Sequence, residues 1–183
     1  CGMDPQQLQL THDETAGILV ATETATASGC ASEAGITVIA CGRPYMPGRE
    51  IQDESPGAFA RWLVQRYLEQ GTNALHGLRG SYAIAIADGK QRRLLLTTDR
   101  IGMQNIYFTR HRSQVLFSTS LPLLICHPDT SREHDLQALY DYLYFHFIPA
   151  PRTIYTGVSR VLPGHCALFD SAGTHQEVCN HLH

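Results

Sequence analysis

Small and bulky apolar positions alternate along residues 81–87, where Tyr82, Ile84 and Ile86 interleave with Ala83, Ala85 and Ala87. That period of two predicts a strand covered on both faces and central in its sheet. Asp88-Gly89 supplies positive-φ positions for a two-residue hairpin, and residues 93–98, rich in Leu and Thr, form the return strand. Asp99-Arg100-Ile101-Gly102 breaks that strand, with Asp99 and Arg100 pairing as a lock on the turn, before a short strand at residues 106–108. Three strands joined in this way predict two layers of antiparallel sheet.

A helical period governs two other stretches. Ser55 stands as N-cap with Pro56 at the first helical position, and Phe59, Trp62, Leu63 and Tyr67 recur at spacings of three and four until Gly71. This stripe predicts a helix laid on a sheet with Trp62 buried. Residues 135–147 carry a wider, aromatic stripe of Leu136, Leu139, Tyr140, Leu143, Tyr144 and Phe147, stopped by Pro149 and Pro151. A face that heavy is expected to pack inward.

The remaining pattern is weaker. Alternation predicts strands near residues 8–12 and 17–21 around a turn at Asp13-Glu14, and a strand at residues 36–40. Residues 21–35, mostly Ala, Thr, Ser, Gly and Glu, have little to bury and read as a surface loop. Pro44 and Pro47 make residues 42–48 a turn-rich exit from the strand before them. A last strand pair is expected at residues 159–161 and 166–170 around Pro163-Gly164.

Composition narrows the function classes. A chain of 183 residues suits one domain and needs no disulfide staple. With 14 Lys and Arg against 17 acidic residues, it has no basic field for nucleic acid or anionic lipid. No apolar run reaches the length of a membrane span and no export signal opens the chain, so a cytoplasmic setting is expected. There the six cysteines, without Cys-x-x-Cys spacing, read as buried thiols. His175, Cys179, His181 and His183 match no four-ligand zinc spacing, and neither a metal nor a cofactor is expected.

Four runs in order carry a resemblance: residues 78–88, then TTDRIGMQNIYF, then VLFSTSLPLLI, then PAPRTIYTGVSRVLPGH. They resemble the second half of the glutamine amidotransferase domain of the asparagine synthetase family, closest to the N-terminal domains of lasso-peptide cyclases and β-lactam synthetase. The resemblance implies an α+β, N-terminal-nucleophile hydrolase fold: a four-layer αββα sandwich whose two antiparallel sheets pack face to face. It also implies an ATP-dependent synthetase domain or subunit as partner, because the S-G-G-x-D-S pyrophosphate loop of that half of the family has no counterpart in these residues.

The same resemblance implies a site. Cys1 matches the family's N-terminal nucleophile, whose own α-amine is the base that activates the thiol. Gly42 matches the backbone donor of the oxyanion hole in an Asn-Gly-Glu motif, but Cys41 stands in place of the Asn, and losing one such donor typically lowers the rate by about 10²- to 10³-fold. The family's early arginine, a fork for the glutamine carboxylate, is missing. No Lys or Arg precedes Arg43, whereas Asp4, Asp13, Glu14, Glu23 and Glu33 make the segment acidic. Arg43 or Arg49 is the available substitute. The family's acidic partner for the glutamine amine is represented by Asp53-Glu54-Ser55, where helix capping is the simpler role.

Two functions follow. One is a domain with a degenerate glutaminase site that supports an ATP-dependent amide-forming half. The other is a working glutaminase in which Cys1 hydrolyses glutamine to glutamate and passes ammonia to a synthetase, and it requires a free amine on Cys1.

Overall fold

The computed structural model describes residues 8–13, 18–23, 28–48, 55–111, 114–170 and 173–177. In chain order the strands are β1 (Leu8–Asp13), β2 (Ile18–Glu23), β3 (Ser28–Glu33), β4 (Ile36–Tyr45), β5 (Arg79–Asp88), β6 (Arg93–Thr98), β7 (Tyr107–His111), β8 (Gln114–Ser118), β9 (Ser159–Arg160), β10 (Cys166–Asp170) and β11 (Gly173–Glu177). The helices are α1 (Pro56–Gln70), α2 (Leu121–Cys126) and α3 (Leu136–Phe145). Among the described residues every pairing between strands is antiparallel, and the class is α+β. The chain divides into two compact units, residues 1–104 with 163–183, and residues 105–162.

The first unit holds a two-stranded sheet of β1 and β2 and a six-stranded sheet in the order β11-β10-β6-β5-β4-β3. β5 is interior, as its alternation predicts, and Tyr82 to Asp88 are all buried. Helix α1 lays Phe59, Ala60, Leu63, Val64 and Tyr67 against Val38, Ala40, Ile84 and Ile86 to form the core. Burying each large apolar side chain there contributes about 2 kcal/mol. Ser55 caps α1 by accepting a hydrogen bond from the Ala58 amide at 3.3 Å, and Gly71, at φ +59°, ends it. Trp62 lies only partly buried at the margin of the stripe, its ring 5.3 Å from that of Phe59 and under the Arg66 guanidinium.

Several expectations are corrected here. Residues 28–33 are strand rather than loop: β3 pairs with β4 through a two-residue turn in which Ala34 and Gly35 both have positive φ. Backbone hydrogen bonding to β4 supplies what its small side chains cannot. β4 also runs through Pro44 to Tyr45, where a turn was expected. β3 ends its pairing at Cys41, so beyond that point β4 pairs with β5 alone among the described residues, an edge-like position that tolerates proline. The β5–β6 connection has four residues instead of two. The Asp88 carboxylate accepts from the Gln91 amide at 2.9 Å, and Arg92 takes the positive φ.

The second unit holds the sheet β8-β7-β9 with α2 and α3. β9 pairs with β7 whereas β10 pairs with β6 and β11, so residues 159–161 and 166–170 do not form the strand pair expected of them. Asp135 caps α3, its carboxylate accepting from the Gln137 and Ala138 amides. The helix is turned opposite to the sequence expectation: Ala138 and Asp141 are buried, while Leu136, Tyr140, Leu143, Tyr144 and Phe147 are exposed. Asp141 is held on that inner side by Gln137 at 2.8 Å and by Arg152 at 3.6 Å.

Candidate functional site

Two glycines on facing strands shape the region where β4 leaves β3. Gly42 lies opposite Tyr82 at φ +94°, and Gly80 lies opposite Pro44 at φ +93°. A Cβ on Gly42 would collide with the Ser81 carbonyl oxygen, and one on Gly80 with the Arg43 carbonyl oxygen. The two backbones therefore approach as only glycine permits. Tyr82, fully buried, fixes β5 from the core side.

Asp99 fixes the other end of this region. Its buried carboxylate accepts from the amides of Met103 and Gln104 at 2.9 Å and of Ile101 and Tyr82 at 3.3 Å. The lock on this turn is thus made with backbone N–H groups, where a pairing with Arg100 was expected; Arg100 is exposed. The same turn aims Gln104, whose side-chain amide donates to the Ser81 hydroxyl at 3.2 Å. Ser81 is the register partner of Arg43, so a hydrogen-bonded path runs from Asp99 through Gln104 to the strand facing Gly42. Neither Ser81 nor Gln104 is marked by the polarity pattern, because their roles depend on a turn that only the fold closes.

Cys41, part-buried, pairs with Ser28 on one side and Ala83 on the other. Burial pushes its thiol pKa up, which keeps it protonated at neutral pH and a weak S–H donor. Arg43 is exposed, one residue along the strand from Gly42. Cys1, Arg49, Asp53 and Glu54 lie outside the described residues, as do Cys179, His181 and His183. Among the described residues, no group of three or more His, Cys, Asp or Glu side chains is placed to hold a metal ion. Of the four described cysteines, only Cys166 is buried; Cys126 is exposed and Cys30 and Cys41 are intermediate. No helix among the described residues is long and apolar enough to cross a membrane.

The profile of a family described as a glutamine amidotransferase domain matches residues 60–179. That match begins beyond Cys41, Gly42 and Arg43. Asparagine synthetase [glutamine-hydrolyzing] 3 of Bacillus subtilis (strain 168) is 27% identical over 112 residues, covering 61% of this chain and 18% of that protein. Asparagine synthetase [glutamine-hydrolyzing] 1 of the same organism is 31% identical over 103 residues, covering 56% of this chain and 16% of that protein. The matches thus span less than a fifth of the length of these relatives. Among solved structures, a glutamine phosphoribosylpyrophosphate amidotransferase from B. subtilis, complexed with ADP and GMP, aligns over 80% of this chain and 30% of its own, with a TM-score of 0.44 and 13% identity.

Proposed function

Because the chain belongs to the glutamine amidotransferase domain family, we propose that it is an amidotransferase-like domain with a degenerate glutaminase site, supporting an ATP-dependent amide-forming partner related to asparagine synthetases. The two compact units are taken together as one domain, since the family match runs from the first unit through the second and back into the first. A synthetase domain or subunit outside these residues supplies the ATP chemistry.

One observation carries the reading: the position next to Gly42 holds a thiol that burial keeps protonated, where the related motif has a carboxamide. A weak S–H donor stabilises a developing oxyanion less than an amide N–H does, by about 2.7 to 4 kcal/mol if the donor is lost altogether. The acidic, cation-free sequence up to Gly42 works in the same direction, because a glutamine α-carboxylate needs a fixed cation and Arg43 stands exposed on its strand.

A second reading, hydrolysis of glutamine by Cys1, is favoured by one feature. The backbone at Gly42 keeps a conformation reserved for glycine, as a backbone oxyanion donor approaching a substrate closely would require. Calorimetric titration with glutamine separates the two. The degenerate site shows no saturable binding with a Kd below about 1 mM. Saturable binding that is lost in Arg43→Ala would overturn the degenerate reading.

A further inference from the structure

Helix α3 presents a face that nothing in its own unit covers. Leu136 is 79% exposed, Leu143 76% and Tyr144 69%, and Tyr140, Phe145 and Phe147 are each more than half exposed. The rings already touch one another: Tyr140 stacks on Tyr144 at 6.4 Å, Tyr144 meets Phe145 edge-on at 4.8 Å, and Phe145 lies 6.0 Å from Phe147. Taking about 200 Å² for each such side chain, the six offer on the order of 800 Å² of apolar surface. That exceeds the largest patch a typical monomer exposes, about 300 to 600 Å², and equals one partner's share of a standard interface, about 800 Å².

The helix itself calls for a cover. It has 10 residues, and a helix shorter than about 12 to 15 residues is marginal in water unless its apolar face packs against something. Here only Ala138 and Asp141 are buried, and Leu139 is the one large apolar side chain of the helix that is even partly covered. None of the six outward side chains carries a charge, which is the composition of a permanent interface rather than of an encounter surface rimmed by ion pairs.

We propose that the aromatic face of α3 is the seat of the ATP-dependent synthetase partner. This rests on the reading given above, in which such a partner exists, and adds the surface that holds it. The occupant is a permanent one because an uncharged face of this size is costly to leave in water between encounters. A covering by a second copy of this chain is the competing outcome.

Hydroxyl-radical footprinting of the native protein, with its synthetase part or subunit present, against this 183-residue chain alone decides it. Oxidation of Tyr140, Tyr144 and Phe145 is expected to fall about tenfold in the assembly, and Leu143→Glu to restore it by weakening docking at least about 30-fold, the loss typical of a central contact. Exposed Ile101 and Met103, in the other unit, keep their reactivity and serve as internal controls. Rings equally reactive in the assembly and in the lone chain would overturn the proposal while leaving the partner itself in place. Protection already present in the lone chain, dependent on its concentration and lost in Leu143→Glu, would assign the face to a second copy. A synthetase that never associates with the chain would overturn both the docking face and the underlying reading.

Discussion

Tyr82 and Asp99 exchange two hydrogen bonds: the Asp99 amide donates to the Tyr82 carbonyl at 3.0 Å, and the Asp99 carboxylate accepts from the Tyr82 amide at 3.3 Å. With three further amides on the same carboxylate, Asp99 joins the end of β5's buried segment to the turn that carries Gln104. Asp99→Ala strands the buried Tyr82 N–H and three part-buried ones and is expected to destabilise the protein by about 2 kcal/mol or more. Asp99→Asn keeps one acceptor oxygen and should lose about half as much. Chemical denaturation of the two variants beside the parent checks the order, and a neutral Asp99→Ala would show that this cage contributes nothing to the fold.

Gly42 is the second point of tension. Gly42→Ala must bring a Cβ against the Ser81 carbonyl at φ +94°, so a loss of at least about 2 kcal/mol is expected. The exposed neighbour Arg43→Ala, by contrast, should stay within about 0.5 kcal/mol of the parent. Equal stabilities for the two variants would contradict the close approach of β4 and β5.

Tyr67 gives the alkaline limb of stability. Burial, followed by the negative charge of Asp88, pushes its phenol pKa up to about 12 from the ordinary value near 10. The unfolded chain therefore ionises this group first. The stabilisation is complete below about pH 10 and is lost as pH rises from there through about 12. Tyr67→Phe should flatten the fall in melting temperature between those pH values. An equally steep fall in the variant would assign the alkaline transition to another group.

Much of this architecture can be read from the sequence, and the exceptions share physical causes. The alternation through Tyr82, Ile84 and Ile86 and the Ser55-Pro56 cap are local signals, so β5 and α1 are legible directly. β3 escapes because its residues are small and its order comes from backbone pairing with β4. Pro44 reads as a breaker until the end of β3 at Ser28 makes its position edge-like. On α3 the period reveals a stripe but not which side is inward; the capture of Asp141 by Gln137 and Arg152, visible only in three dimensions, decides that. At the candidate site, Cys41 and Gly42 are legible through resemblance, whereas Ser81 and Gln104 meet only after the Asp99 turn has closed.

The two apolar stripes should differ sharply when cut. Leu63, fully buried on the inner face of α1, is expected to cost about 2 to 5 kcal/mol on replacement by Ala. Leu143→Glu, on the exposed face of α3, should change the stability of the lone chain by no more than about 0.5 kcal/mol. A large loss at Leu143, read by thermal unfolding, would show that this face is packed within the chain after all.

Ammonia release from glutamine, measured on the protein with a free Cys1 amine beside its Cys1→Ala variant, tests the central claim most directly. A degenerate site predicts traces for the two that coincide with the rate in buffer alone. Steady release by the parent that disappears in Cys1→Ala would contradict it and make this chain a working glutaminase.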